Sequence, residues 1–391
     1  MKNNFYFIFL SFFTSLFLYS SVIKQLYVFP IDITLLSFLA VSILYVFLEK
    51  NFKVTSPILL LFLFFIMLGV SYYFSKSESV GGYKFIATAP GLIISLYLLT
   101  LNYNKYNAKT YLDVFSIMSV PVALYFIYIL PKLFSGGAGG VDVVRSIYLS
   151  LPLYLCISIV YAVTQIARAK ILYGLIVSVN IIAVLMSGAR GPLLGLFLCL
   201  TILFFANYKT IIREVIYRRF YLLPLVFIVC SYIISTVNID LYSFFERTIK
   251  RFEMLLNDNG GNSVNERLFA LQSMYHNGFE DLTAVFLGKG LGTFGIEVYG
   301  IDAYYYPHNV FLELAFETGL VTLSVFLLFL ASLLYGPKNN QLALLYAIFI
   351  FLTFNFMKSY SIVGLRLFIP IFIFSYLLTI YPCFKKEKSN D

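Results

Sequence analysis

Apolar residues in this chain gather into long blocks separated by short polar stretches. From the N-terminus the blocks fall at about residues 5–23, 29–48, 57–74, 85–101, 111–131, 147–164, 171–187, 191–206, 220–237, 309–335, 341–357 and 361–381. Each is close to the ~20 residues that carry a helix across about 30 Å of hydrocarbon. Most contain no charge. A helix satisfies its own backbone in lipid, and the short alternating segments of a β-barrel are absent. The pattern predicts an all-α polytopic membrane protein with about 12 transmembrane helices and one large helical extracytoplasmic loop. The pairs 171–187/191–206 and 341–357/361–381 can each also be read as one long helix. The first block follows a single Lys2 and lacks a small-x-small cleavage site, so it is expected to be an uncleaved first span.

Composition agrees with the pattern. Of 391 residues, 60% are hydrophobic and 12% charged. Soluble domains carry roughly 25% charged residues, so a water-soluble globular protein, a disordered chain and a disulfide scaffold are excluded. The net charge of +9 is unevenly spread. With both termini inside, the inner face collects 15 Lys and Arg, against 7 on the short outer loops and helix ends. That bias places both termini in the cytoplasm. No basic run has the length or interleaved aromatics of a nucleic-acid patch. The four cysteines lie in spans or at the cytoplasmic end, as small packing residues.

Three regions follow: helices 1 to 9 over residues 1–237, an extracytoplasmic loop over 238–308, and helices 10 to 12 with a cytoplasmic tail over 309–391. The loop holds nine acids and five bases, and its length marks it as functional. Leu241, Phe244, Phe245, Ile249, Phe252 and Leu256 recur at helical spacing and predict an amphipathic helix on the membrane surface. Ser263 and Glu266 form a capping box that starts a second helix, ending near Asn277 and Gly278. Gly290-Leu-Gly292-Thr-Phe-Gly295 has dinucleotide-fingerprint spacing but no βαβ setting, and reads as a glycine-rich turn re-entering the membrane.

A few polar residues stand where they are costly. His308 lies where the loop meets the tenth span, followed by Asn309 as a helix N-cap. It is the better placed of two bases that titrate near neutral pH; His276 falls on the face of the loop helix opposite Arg267. Glu313 and Glu317 share a face of the tenth helix, which is expected to run about 40 Å unbroken to Tyr335. They are either interfacial anchors or residues facing protein, a partner or a water-filled cavity. Arg190 sits in Ser187-Gly-Ala-Arg190-Gly-Pro192, a tight outer turn in which Gly191 and Pro192 are expected to reverse the backbone. Arg145 and Arg366 also lie toward the outer side, as packing anchors or site residues. Arginine is always charged and can hold phosphate oxygens in a bidentate way.

Taken in order, Ser187-Gly-Ala-Arg190-Gly, Asn265-Glu-Arg267, the 288–295 glycine turn and Pro307-His308-Asn309-Val-Phe-Leu-Glu313-Leu-Ala-Phe-Glu317-Thr-Gly319 resemble the O-antigen ligase and polymerase superfamily of bacterial surface-polysaccharide assembly. The resemblance covers about residues 185–330. No tryptophan follows Arg267 and no proline precedes the glycine turn, two departures from the family pattern.

The resemblance implies a multi-pass protein of the bacterial inner membrane with its active site facing the periplasm. It implies an inverting glycosyltransferase that uses an undecaprenyl-diphosphate-linked oligosaccharide and needs no metal or cofactor. Its catalytic residues map to Arg190, Arg267 and His308, with Arg145, Glu313, Glu317 and Arg366 as substrate contacts. Membrane lipids and a chain-length regulator protein are the expected partners, with no nucleic acid. A polymerase of repeat units is favoured over a ligase acting on lipid A-core, and a flippase for lipid-linked glycan is the rival from another class.

Overall fold

The computed structural model describes residues 2–27, 29–48, 54–101, 108–135, 147, 150–166, 168–211, 262–278, 281–335 and 342–380. These are mostly helical, with no strand among the described residues. The long helices are α1 (Lys2–Leu26), α2 (Ile33–Leu48), α3 (Ser56–Tyr73), α4 (Glu78–Thr100), α5 (Lys109–Ser135), α6 (Ser150–Gln165), α7 (Lys170–Ser187) and α8 (Arg190–Ile211). Then come α9 (Asn262–Gly278), the short α10 (Leu282–Leu287) and α11 (Phe294–Tyr299), α12 (Val310–Tyr335), α13 (Leu342–Ser359), a 3₁₀ turn (Ile362–Gly364) and α14 (Leu365–Ile380).

Eleven of the predicted apolar blocks coincide with these helices, and the block at 220–237 lies outside the described residues. Among the described residues, eight helices are long and apolar enough to cross a membrane, and three shorter apolar ones lie at Ile33–Leu48, Ser150–Gln165 and Arg190–Ala206. Many large apolar side chains remain exposed, among them Leu35, Phe47, Phe62, Phe205 and Leu328. Such surfaces are stable against lipid but not against water. The protein is therefore a multi-pass helical membrane protein. The loop helix predicted from its capping box is α9; the amphipathic stretch at 241–256 lies outside the described residues.

The chain divides into two compact units. Unit 1 holds Met1–Val41, Ala108–Leu255 and Asn340–Phe351. Its central helix is α6, buried along nearly its whole length and packed against α5, α7 and α8. Several polar side chains inside it are paired, which lowers the cost of burying them. The Tyr19 hydroxyl donates to the Phe115 carbonyl at 3.3 Å and its ring stacks on Phe115. Asp113 accepts from the hydroxyls of Tyr161 (2.5 Å) and Tyr173 (2.6 Å) and pairs with Arg168 at 3.3 Å. Between α1 and α2, Asp32 accepts the Thr34 and Leu35 N–H groups, and the hydrogen bond from Lys24 holds its carboxyl below the usual range.

Unit 2 holds Ser42–Asn107, Leu256–Asn339 and Leu352–Asp391. In it α3 packs on α12, α4 on α14, and α10 on α12. A row of phenylalanines fills its core: Phe64 on Phe326 (5.0 Å between ring centroids), Phe326 on Phe368 (6.2 Å) and Phe356 on Phe368 (5.0 Å).

The structure corrects the expectation of one unbroken helix to Tyr335. Gly319 has φ 84° and ψ 164°, so α12 is two helical segments, residues 310–318 and 320–335. The break frees carbonyls that a continuous helix would use internally. The Phe316 carbonyl accepts from the Lys289 N–H at 3.0 Å, and the Glu317 carbonyl accepts from the Gly290 N–H and the Ser71 hydroxyl, both at 2.9 Å. The glycine-rich turn thus docks where the helix is interrupted. Gly319 has no room for a side chain, because a Cβ there would run into the Phe286 carbonyl. Replacing Gly319 with alanine forces a positive φ and this clash together; we expect a loss of at least about 2 kcal/mol, read as a lower unfolding midpoint in detergent.

Candidate functional site

The site is built on the end of unit 2 where the 281–309 segment covers α3, α4 and α12. Two serines in the turn between α3 and α4 hold that segment: Ser75 Oγ donates to the Leu291 carbonyl at 2.6 Å and Ser77 Oγ to Asp302 at 2.5 Å. Ser79 adds a second bond to Asp302 at 3.0 Å. Lys76 and Lys289 both lie 3.3 Å from the Glu297 carboxylate.

Beneath this cover lies a fully buried charge cluster. Lys84, one and a half turns into α4, places its Nζ 2.6 Å from Glu313 Oε1 and 2.6 Å from Glu317 Oε1, and all three side chains are 0% exposed. The remaining acceptors are used by backbone N–H groups. Glu317 takes Gly292 N–H (2.8 Å) and Phe294 N–H (3.4 Å), and Glu313 takes Ile362 N–H (2.8 Å). All four carboxylate oxygens are therefore engaged inside the protein. Lys84 ties together α4, α12, the glycine turn and the turn before α14. In the sequence alone it is one of the seven bases of the outer loops and helix ends. The available signal was electrostatic: two acids on one helix face at membrane depth call for a cation on another element.

His308 is half-buried and has φ 58°, the left-handed region that non-glycine residues seldom occupy. Its ring lies 4.5 Å from that of Tyr306. The next residue caps α12, as expected: Asn309 Oδ1 accepts from Phe311 N–H (3.0 Å) and Leu312 N–H (3.2 Å). Tyr304, two residues before Tyr306, hydrogen-bonds Ser361 Oγ at 2.7 Å and sits over the Lys84 ammonium at 5.8 Å. Although 42% of Tyr304 is exposed, desolvation of its hydroxyl first, and the charge of Glu313 second, push its phenol above the usual value. It remains a neutral donor at physiological pH.

Arg267 lies on α9, half-buried, and its Nε is buried without a hydrogen-bond partner among the described residues. The spacing puts it on the helix face of Ala270 and Met274. Those two pack with Phe294 and Phe316, and Leu312 joins them, so this face of α9 docks on α11 and the outer half of α12. His276 is exposed at the other end of α9. Arg366 opens α14, half-buried, its backbone against Gly91 of α4.

Arg267, His308, Glu313, Glu317 and Arg366 all belong to unit 2, and of these Glu313 and Glu317 pair with Lys84. Arg190 belongs to unit 1, where it is the first residue of α8 and half-buried. The chain reversal before it differs from the expectation. Gly188 makes it, with φ 67° in the left-handed region, while Gly191 and Pro192 lie inside the first turn of α8. Gly188 is favoured there because it carries no Cβ. Arg145 lies outside the described residues.

These features define a multi-pass helical membrane protein. Residues 175–327 match the family model for O-antigen ligase. That match upholds the resemblance to the O-antigen ligase and polymerase superfamily over that stretch and points to a function of ligase or polymerase type. Comparison with curated proteins and with solved structures gives no significant match.

The cap at Asn309 sets how the chain enters α12. Asn309→Ala removes the acceptor for two N–H groups and should cost about 1 kcal/mol, visible as a lower thermal midpoint.

Proposed function

We propose that this protein is a membrane glycosyltransferase of surface-polysaccharide assembly that joins undecaprenyl-diphosphate-linked oligosaccharide repeat units at the periplasmic face. The observation that carries the reading is the family match over 175–327, which encloses Arg190, Arg267 and His308 together. Arg145 and Arg366 fall outside that stretch and are read as flanking contacts to substrate.

In this reaction a sugar hydroxyl attacks the anomeric carbon of the lipid-linked donor. A new glycosidic C–O bond forms as the bond from that carbon to the diphosphate breaks. His308 takes the hydroxyl proton, and the lipid diphosphate leaves with the bonding electron pair. Arg190 and Arg267 neutralise the charge that grows on the diphosphate. The buried, unpartnered Nε of Arg267 supports this role, since a desolvated donor without an acceptor is costly unless a ligand supplies one. A one-step displacement inverts the anomeric centre. Glu313 and Glu317, with every carboxylate oxygen occupied within the protein, serve by positioning α12 rather than by touching sugar.

Single alanine substitutions test the roles. His308→Ala should lower turnover by about 10²–10⁴-fold, and Arg190→Ala or Arg267→Ala by about 10²–10³-fold. The check is polymer length on gels at matched protein levels; long chains from a variant exclude its residue from the chemistry. Purified protein given lipid-linked repeat unit distinguishes the readings. Longer lipid-linked polymer identifies a polymerase, and transfer that occurs only when lipid A-core is supplied identifies a ligase. Movement of the lipid between leaflets without bond formation identifies a flippase.

A further inference from the structure

We infer that Lys84 is a positioning residue for the transfer reaction, fixing the segment that carries His308. The inference rests on the reading of His308 as the base. It begins from the buried cluster, in which one ammonium at 2.6 Å from each of two carboxylates has no water to replace it. Lys84 and the backbone N–H groups of Gly292, Phe294 and Ile362 together occupy the carboxyl oxygens of the two acids. Without Lys84, two acids one helical turn apart would be left in a low-dielectric site with no cation to join them to α4, and the tie between these elements would be lost.

Two paths lead from Lys84 to His308. One runs through the backbone: Glu313, held by Lys84, donates its N–H to the Asn309 carbonyl at 2.9 Å, and Asn309 follows His308 directly. The other is a row of rings. Lys84 Nζ lies 5.8 Å from the Tyr304 ring, Tyr304 lies 5.6 Å from Tyr306, and Tyr306 lies 4.5 Å from His308. Tyr304 is pinned again by Ser361, next to the Ile362 whose N–H bonds Glu313. His308 itself holds φ 58°, a conformation that persists only where its surroundings impose it. Loosening them lets the backbone relax and moves the imidazole. Misplacing a reacting group by about 1 Å can cost about 10²-fold in rate.

The experiment uses the full-length protein in lipid nanodiscs with a polyprenyl-diphosphate-linked oligosaccharide, measuring kcat and KM separately. Lys84→Met should lower kcat at least about tenfold with KM within about threefold. Because that variant leaves buried acids unpaired, Lys84→Met with Glu313→Gln and Glu317→Gln is made as well. It should recover the thermal midpoint yet keep the low kcat. Tyr306→Ala, which leaves the charge cluster intact, should lower kcat without moving the midpoint. Wild-type kcat in the triple variant or in Tyr306→Ala would overturn the inference, as would a loss confined to KM. His308→Ala run in parallel separates the two levels. If it keeps full rate, the reading of the site fails; if it is inactive while the triple variant is fully active, only the role of Lys84 fails.

Discussion

An ammonium and two carboxylates sealed from water must stay together, because each is far costlier alone than paired. In unit 2 that constraint falls on Lys84, Glu313 and Glu317. Their separation in the chain, 229 and 233 positions, makes the pairing a long-range tie between the fourth helix and the twelfth. Everything at this end of the unit is arranged to meet the demands of these charges. The glycine turn turns its N–H groups toward Glu317, the 3₁₀ turn offers one to Glu313, and Asn309 caps the helix that bears both acids. Removing any one of these leaves a buried polar atom unmatched.

Beneath the proposed site for a lipid diphosphate, the nearby lysines are already engaged with acids. Lys84 is consumed by its own acids, and Lys76 and Lys289 by Glu297. Arg267, by contrast, retains a buried donor without an acceptor. The division is chemically sensible. Lysine, a compact ammonium, serves as a structural point charge between two carboxylates, and arginine, with its planar fork of donors, is left for phosphate oxygens.

Much of this was legible in the sequence. The apolar blocks coincide with helices because span length is set by bilayer thickness, and the capping box at Ser263 and Glu266 locates α9 because orphan N–H groups at a helix start must be met locally. Asn309 as a cap followed by the same logic. What stayed hidden is non-local or conformational. Lys84 lies just before the apolar block at 85–101, so it reads as a loop cation until its helix is seen to begin at Glu78. Glycine is common in membrane helices, so Gly319 looks like a packing residue and only its positive φ reveals a break. Gly188 and Gly191 stand three apart, and composition alone does not say which of them turns left-handed.

The interruption at Gly319 also sets the hydrophobic thickness that the protein asks of its membrane. Residues 320–335 alone form a rod of roughly 24 Å at 1.5 Å per residue, several ångströms less than a typical ~30 Å hydrocarbon core. A short rod is accommodated by local thinning of the bilayer at modest energetic cost. Such thinning would bring the lipid headgroups beside this helix lower than in the surrounding membrane. A lipid-borne diphosphate arriving along that dip would be delivered toward the level of the glycine turn, so the break in one helix would shape the surface over which the substrate travels.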